Sequence, residues 1–200
     1  MLLLVTSVTP LEALTYHLLS AHLLQNVILA EWAPALLVLG IAPAAAKRMA
    51  SVPGAAALTR PPVALGLWLV TYFAWHLPPA YDAALEHPST LLHLEHANYL
   101  IAGTLLWWPL LQDAPHRLSN AGRSLYLFLA FILASPIGLV LALVPEAAYD
   151  YYVEGERLWG LSAHADQQIA GVTMSVEQAI VFFAAFAFFF FRFLADEERV

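Results

Sequence analysis

The 200-residue chain contains no cysteine. That excludes disulfides, thiolate metal sites and redox-active dithiols, so a soft metal would rest on histidine and methionine. Charge is scarce as well. Only 12% of residues are Asp, Glu, Lys or Arg, about half the ~25% of an ordinary soluble domain. Basic charge is scarcest, with 8 Lys and Arg against 15 Asp and Glu and a net charge of -7. No basic face is left for nucleic acid. The N-terminus, MLLLVTSVTPLEALTYH, lacks a basic n-region and meets Pro10 and Glu12 early, so no cleaved signal peptide is expected. No linker, low-complexity tract or internal repeat divides the chain, which reads as one membrane domain over 1–200.

What fills the space is apolar: 61% of residues against about 45–50% in soluble domains, with a mean hydropathy of +0.70. The pattern predicts an all-α integral membrane protein, a bundle of about five transmembrane helices. The spans fall at about 11–42, 62–77, 90–111, 122–144 and 166–194. Residues 1–10 are apolar but too short to cross. The first run exceeds the ~30 Å hydrocarbon core at ~1.5 Å per residue, and Pro34 is its expected bend. Residues 43–61, 78–89, 112–121 and 145–165 are expected as loops, the last an interfacial segment rich in Tyr. Pro136 and Gly138 suggest a kink in the fourth span. The Phe- and Ala-rich second half of the fifth span reads as lipid-facing.

With five spans, Lys47, Arg48, Arg60, Arg117, Arg123, Arg192 and Arg199 fall on one side and Arg157 alone on the other. The positive-inside rule then puts the N-terminus outside and the C-terminus in the cytoplasm. Seven of the eight His lie toward the outer face under this topology, His116 being the exception. Depths also agree: His96 lies about 9 Å into its span, Met174 about 12 Å and His22 about 16 Å at the helical rise.

Ionisable groups inside apolar runs are costly and by default mark function. His93 and His96, three apart in TLLHLEHANYLIAGTLLWWPLL, share a helical face with Glu95 between them. The pattern is neither H-E-x-x-H nor H-x-x-E-H, so zinc-protease logic does not transfer. His22 shares its face with Asn26, and His17 lies one turn and a half before it. Interhelical hydrogen bonding is the plainer use of such groups. His76 in WHLP suits an interface as well as a ligand role. Asp166 would cap the fifth helix and also orient a ligand. Met174, on the stripe of Asp166, would supply a thioether, which with imidazole suits copper. Glu31 and Glu177 are deep carboxylates whose partners the sequence does not identify.

Several segments, in order and at matching spacing, resemble one family. HLLQN (22–26) followed by APALLVLGIAP, WHLPPAYDAALEHP (75–88), HLEHANYLIAGTLLWWPLL (93–111) and DQQIAGVTM (166–174) are similar to the CtaG-type membrane assembly factors of caa-type cytochrome c oxidase. The resemblance implies a copper-handling helper of oxidase maturation, and its pattern carries over to His22, His76, His93, His96, Asp166 and Met174. It departs where the family usually shows H-x-x-Q-H and this chain has Asn26 in place of the second His.

The first expectation is therefore a non-enzymatic assembly factor in a prokaryotic plasma membrane, crossing it several times. It would bind copper near the outer face through His22, His96 and Met174, with His93 and His76 as further ligands. Glu95, Asp166, Asn26 and His17 would orient them. Expected partners are an oxidase subunit or a copper donor protein, with lipid around the helices; a homo-oligomer is compatible. The second expectation is a zinc-dependent membrane hydrolase with Asp166 or Glu95 as general base. The third is a bis-His haem b protein.

Overall fold

The computed structural model describes residues 10–198, which are all helix and loop with no strand. The run before Pro10, on which the signal-peptide expectation falls, and Arg199 lie outside the described residues. A short helix α1 (Pro10–Thr15) is followed by α2 (Leu19–Leu39), α3 (Pro43–Ala50), α4 (Ala55–Leu58) and α5 (Pro61–Trp75). Then come α6 (Pro78–Glu86), a π turn at Pro88–Leu92 running into α7 (His93–Leu111), α8 (Asn120–Leu143), α9 (Asp150–Glu154) and α10 (Ala163–Glu197).

Among the described residues, three helices are long and apolar enough to cross a membrane: α2, α8 and α10. The other two expected spans form as helices, but α5 has 15 residues, about 22 Å at the helical rise. The first turn of α7 carries His93, Glu95 and His96. The burial pattern agrees with a lipid surround. His22, Gln25, Asn26, Glu31, Glu95, Asp166, Gln167 and Gln178 are buried, while Leu143 is 77% and Phe183 69% exposed. Water would favour the opposite arrangement.

The first run is not one helix. Leu18 is extended (φ −130°, ψ 122°), which breaks the chain between α1 and α2. The cause is tertiary: the Asp166 carboxylate, from α10, accepts the backbone N–H of Leu19 at 2.6 Å and of Ser20 at 3.2 Å, and the Ser20 hydroxyl at 2.5 Å. It thus satisfies the free donors that a new helix start exposes. The sequence put Asp166 at the cap of its own helix; Ser162 caps it instead, its hydroxyl accepting the N–H of Ala165 at 3.1 Å.

Pro34 disturbs α2 as expected, though as a change of register. Lacking an N–H, it leaves the Ala30 carbonyl without its α-helical donor. The helix opens to π geometry over Ile28–Trp32, where the N–H of Ala33 bonds Ile28 O. α7 closes on this irregularity at Gly103. A Cβ there would fall 2.1 Å from Ala30 O and 2.6 Å from Pro34 Cγ. Similarly, α8 and α10 meet through Gly138 and Gly171, where an added Cβ would lie 2.4 Å from Ser175 Oγ and 2.5 Å from Ala142 N respectively. Small residues let membrane helices approach closely. Gly138 is thus a packing contact, and α8 runs through Pro136 without ending.

Three expected loops contain helix, residues 145–165 among them with α9. Residues 43–61 hold α3 and α4, separated at Gly54 (φ +85°). Residues 78–89 hold α6, which starts on the Pro78-Pro79 pair and buries Tyr81, Ala84 and Leu85 at helical spacing.

Candidate functional site

The histidine layer forms where α2, α5, α6, α7 and α9 meet. His22 and Glu95 are both 0% exposed, and their Nε2 and Oε2 atoms lie 3.8 Å apart. Asn26, one turn below His22, donates its Nδ2 to Glu95 Oε1 at 2.8 Å. The His96 ring stands edge-on to His22, centroids 6.2 Å apart at 78°. His76, the C-cap of α5, is buried beside Tyr81, Tyr72 and Tyr99.

Hydrogen bonds assign the tautomers of two of these imidazoles. The Tyr152 hydroxyl donates its single proton to Thr15 O at 2.6 Å, so at 3.2 Å from His22 Nδ1 it accepts. Burial, with Asp166 adding to it, holds that phenol protonated, well above the usual phenol range. Nδ1 of His22 therefore carries the proton, and Nε2 of the neutral ring is a bare lone pair. His76 Nδ1 faces the Tyr72 carbonyl at 2.7 Å, which only accepts, so its Nε2 is bare as well. Nε2 of His22, His76 and His96, together with Glu95 Oε2, are buried without a hydrogen-bond partner. Native proteins seldom leave such atoms unsatisfied without a reason, of which an ion is one. Among the described residues, no three of His, Asp and Glu are close enough to hold a metal ion as they stand.

The family model for the cytochrome c oxidase caa3 assembly factor matches residues 1–196. The chain belongs to this family. No curated protein and no solved structure matches it.

In this caa3 assembly factor family member, the fold gathers only part of the expected residue set. His22, His76, His96, Glu95 and Asn26 come together. Met174 is buried beside them, bordering the same narrow gap as Asn26, His76 and Tyr99. His93 is exposed and its Nδ1 faces Pro88 O at 2.6 Å, so the structure does not bring it into the layer. His17 is half-buried in the break before α2. Asp166 orients the start of α2, three residues before His22, and its hydrogen bonds among the described residues go to Leu19 and Ser20.

Sequence reasoning missed the tyrosines. Tyr149 and Tyr152, expected in an interfacial loop, are buried. Tyr149 stacks on Tyr81 at 4.1 Å and donates to His76 O at 3.1 Å. The cause is Asp82, whose carboxylate accepts the N–H of Asp150 and Tyr151 at 3.2 Å each and so draws α9 onto α6. Partial burial raises the Asp82 pKa, and those two bonds oppose the rise. The available signal was YDAAL itself, an aromatic and an acid on one turn.

A second polar layer lies deeper. Gln178 donates its Nε2 to Glu31 Oε1 and to the Tyr72 hydroxyl, both at 3.0 Å. Trp32 Nε1 donates to Glu177. Glu31 and Trp32 both sit in the π turn of α2. Tyr72 links the layers, since its hydroxyl meets Gln178 and its carbonyl meets His76.

Proposed function

We propose that the chain helps assemble a caa3-type cytochrome c oxidase by holding copper at the histidine layer before transfer to the oxidase. The observation that carries this is the set of unpartnered Nε2 atoms on His22, His76 and His96, with Glu95 Oε2, delivered by three helices. Ligating histidines donate their other ring N–H to an oxygen, which fixes the ring. His22 and His76 already do so, to Tyr152 and Tyr72 O. In the neutral state of either ring, the lone pair is therefore on Nε2. The rings of His22 and His76 both contact Tyr81, and imidazole with the thioether of Met174 beside it suits copper. Copper here is cargo, not a resident catalyst, so the role is non-enzymatic.

This reading keeps five spans, α5 and α7 joining α2, α8 and α10, with α2 the most enclosed of the three long ones. The N-terminus is outside a prokaryotic plasma membrane, and the layer lies toward that side. Full burial of His22 and Glu95 suits holding an ion better than admitting substrate and water. It disfavours the hydrolase. The haem reading is weaker still. Tyr81 packs on His22 with centroids 4.9 Å apart, which fills the slot a macrocycle needs.

The test is metal content of detergent-purified protein after reconstitution with Cu(I). About one copper per chain is expected, lost in His22→Ala and His96→Ala and retained in His93→Ala. Zinc at the same residues would support the hydrolase. No metal in the wild type would overturn the ligand assignment.

A further inference from the structure

At the end of the bundle formed by the start of α8 and the end of α10, a cavity of about 430 Å³ is lined by polar groups. Its charged lining is Arg117, Arg123 and Arg192 with Asp113 and Asp196, one positive charge in excess. The carboxylates are partly engaged. Asp113 accepts Arg123 Nη2 at 2.5 Å and lies 3.9 Å from Arg117 Nε, while Asp196 accepts Asn120 Nδ2 at 2.7 Å. Cationic capacity remains. Arg123 Nε is buried without a partner. Arg192 makes no ion pair among the described residues, its guanidinium lying 5.6 Å from the Phe188 ring centroid. The first turn of α8 adds donors: Ser119 takes the N–H of Gly122 and Arg123, leaving those of Asn120 and Ala121 unused within the helix. In the turns of α8 and α10 next to Arg123 and Arg192, Leu125, Phe128, Phe188 and Phe191 are exposed, Phe188 lying against the Arg192 guanidinium.

We propose that this cavity binds the phosphate ester of an anionic glycerophospholipid, with its acyl chains along the adjoining apolar strip. Arginines, helix N–H groups and a phosphate are complementary. The continuity of a polar cavity with an apolar face selects a lipid over a free phosphate. The proposal rests on the reading of α8 and α10 as membrane spans. That reading is checked separately, by whether the expressed chain sediments with membranes and needs detergent to leave them.

The experiment is native mass spectrometry of the detergent-purified full chain with phosphatidylglycerol, phosphatidylcholine or inorganic phosphate. Phosphatidylglycerol is expected to bind at least tenfold more tightly than phosphatidylcholine. That preference should be lost in Arg192→Gln and in Arg117→Gln, and kept in Arg192→Lys. Equal binding of the two lipids by the wild type overturns the proposal. So does a preference that survives both glutamine variants, or inorganic phosphate binding as tightly as phosphatidylglycerol.

Discussion

Asp166→Ala tests how the site is built. The carboxylate accepts two backbone N–H groups and a hydroxyl where α2 begins, and it is fully buried. Removing it leaves the donors of Leu19 and Ser20 unmatched. An unsatisfied buried donor costs roughly 1–3 kcal/mol, so the variant should lose about 3 kcal/mol. For a chain of this length each kcal/mol shifts Tm by about 2–4 °C, which gives a fall of roughly 6–12 °C in detergent. Asp166→Asn keeps one acceptor but turns an amide toward the second donor, and about half that loss is expected. Because His22 lies one turn into the helix that Asp166 starts, both variants should also weaken copper binding at temperatures where they remain folded. The measurements are thermal unfolding and copper stoichiometry on the same preparations. Asp166→Ala with the wild-type Tm would refute the argument that α2 starts where it does because of this carboxylate. A lower Tm with full copper affinity would show that the break and the histidine layer are independent.

Other outcomes follow from single contacts. Tyr152→Phe removes the hydroxyl between Thr15 O and His22 Nδ1; about 1–3 kcal/mol of stability should go, with a 10–100-fold loss of copper affinity measured by competition with a Cu(I) chelator. Gly103→Ala forces a methyl against Ala30 O and Pro34 and should cost at least the ~1–3 kcal/mol of an overpacked core, read as lower Tm, whereas Gly66→Ala, with open space around it, should be neutral. Asp82→Ala frees the N–H groups of Asp150 and Tyr151; faster proteolysis in the 145–165 segment is expected.

Much of the fold was legible because a membrane inverts the usual burial rule. Long apolar runs with few charges announced α2, α8 and α10 directly. The break at Leu18 was not legible, because its cause is a carboxylate 147 residues away. Helical spacing alone put His93 and His96 on one face. In α7 it is Glu95, buried, and not His93 that lies against His22, while His93 faces Pro88 O. The 145–165 segment was misread for a related reason. Its tyrosines suit an interface by composition, and contacts with distant residues, Asp82, His76 and Thr15, fold them inward. Local pattern thus identified which residue types carry chemistry, while contacts between distant segments decided which ones meet.

Asn26 is where these levels converge. The resemblance puts a histidine at this position, and the structure shows what the asparagine does instead: it donates Nδ2 to Glu95 Oε1 and leaves Oδ1 without a partner. An amide nitrogen is no metal ligand, so the position serves the layer by holding Glu95 in place. Histidine could give the same hydrogen bond through one ring nitrogen and offer the other as a lone pair. Asn26→His should therefore bind copper at least as tightly as the wild type, with Glu95 still held. Asn26→Ala should lose affinity, because it frees the carboxylate and leaves it buried with one donor fewer. Chelator competition on both variants decides the matter. Tighter binding by histidine and weaker by alanine would place residue 26 beside the metal. Weaker binding by both would mean that the amide geometry itself is required, and that the histidine pattern of the family does not transfer to this site.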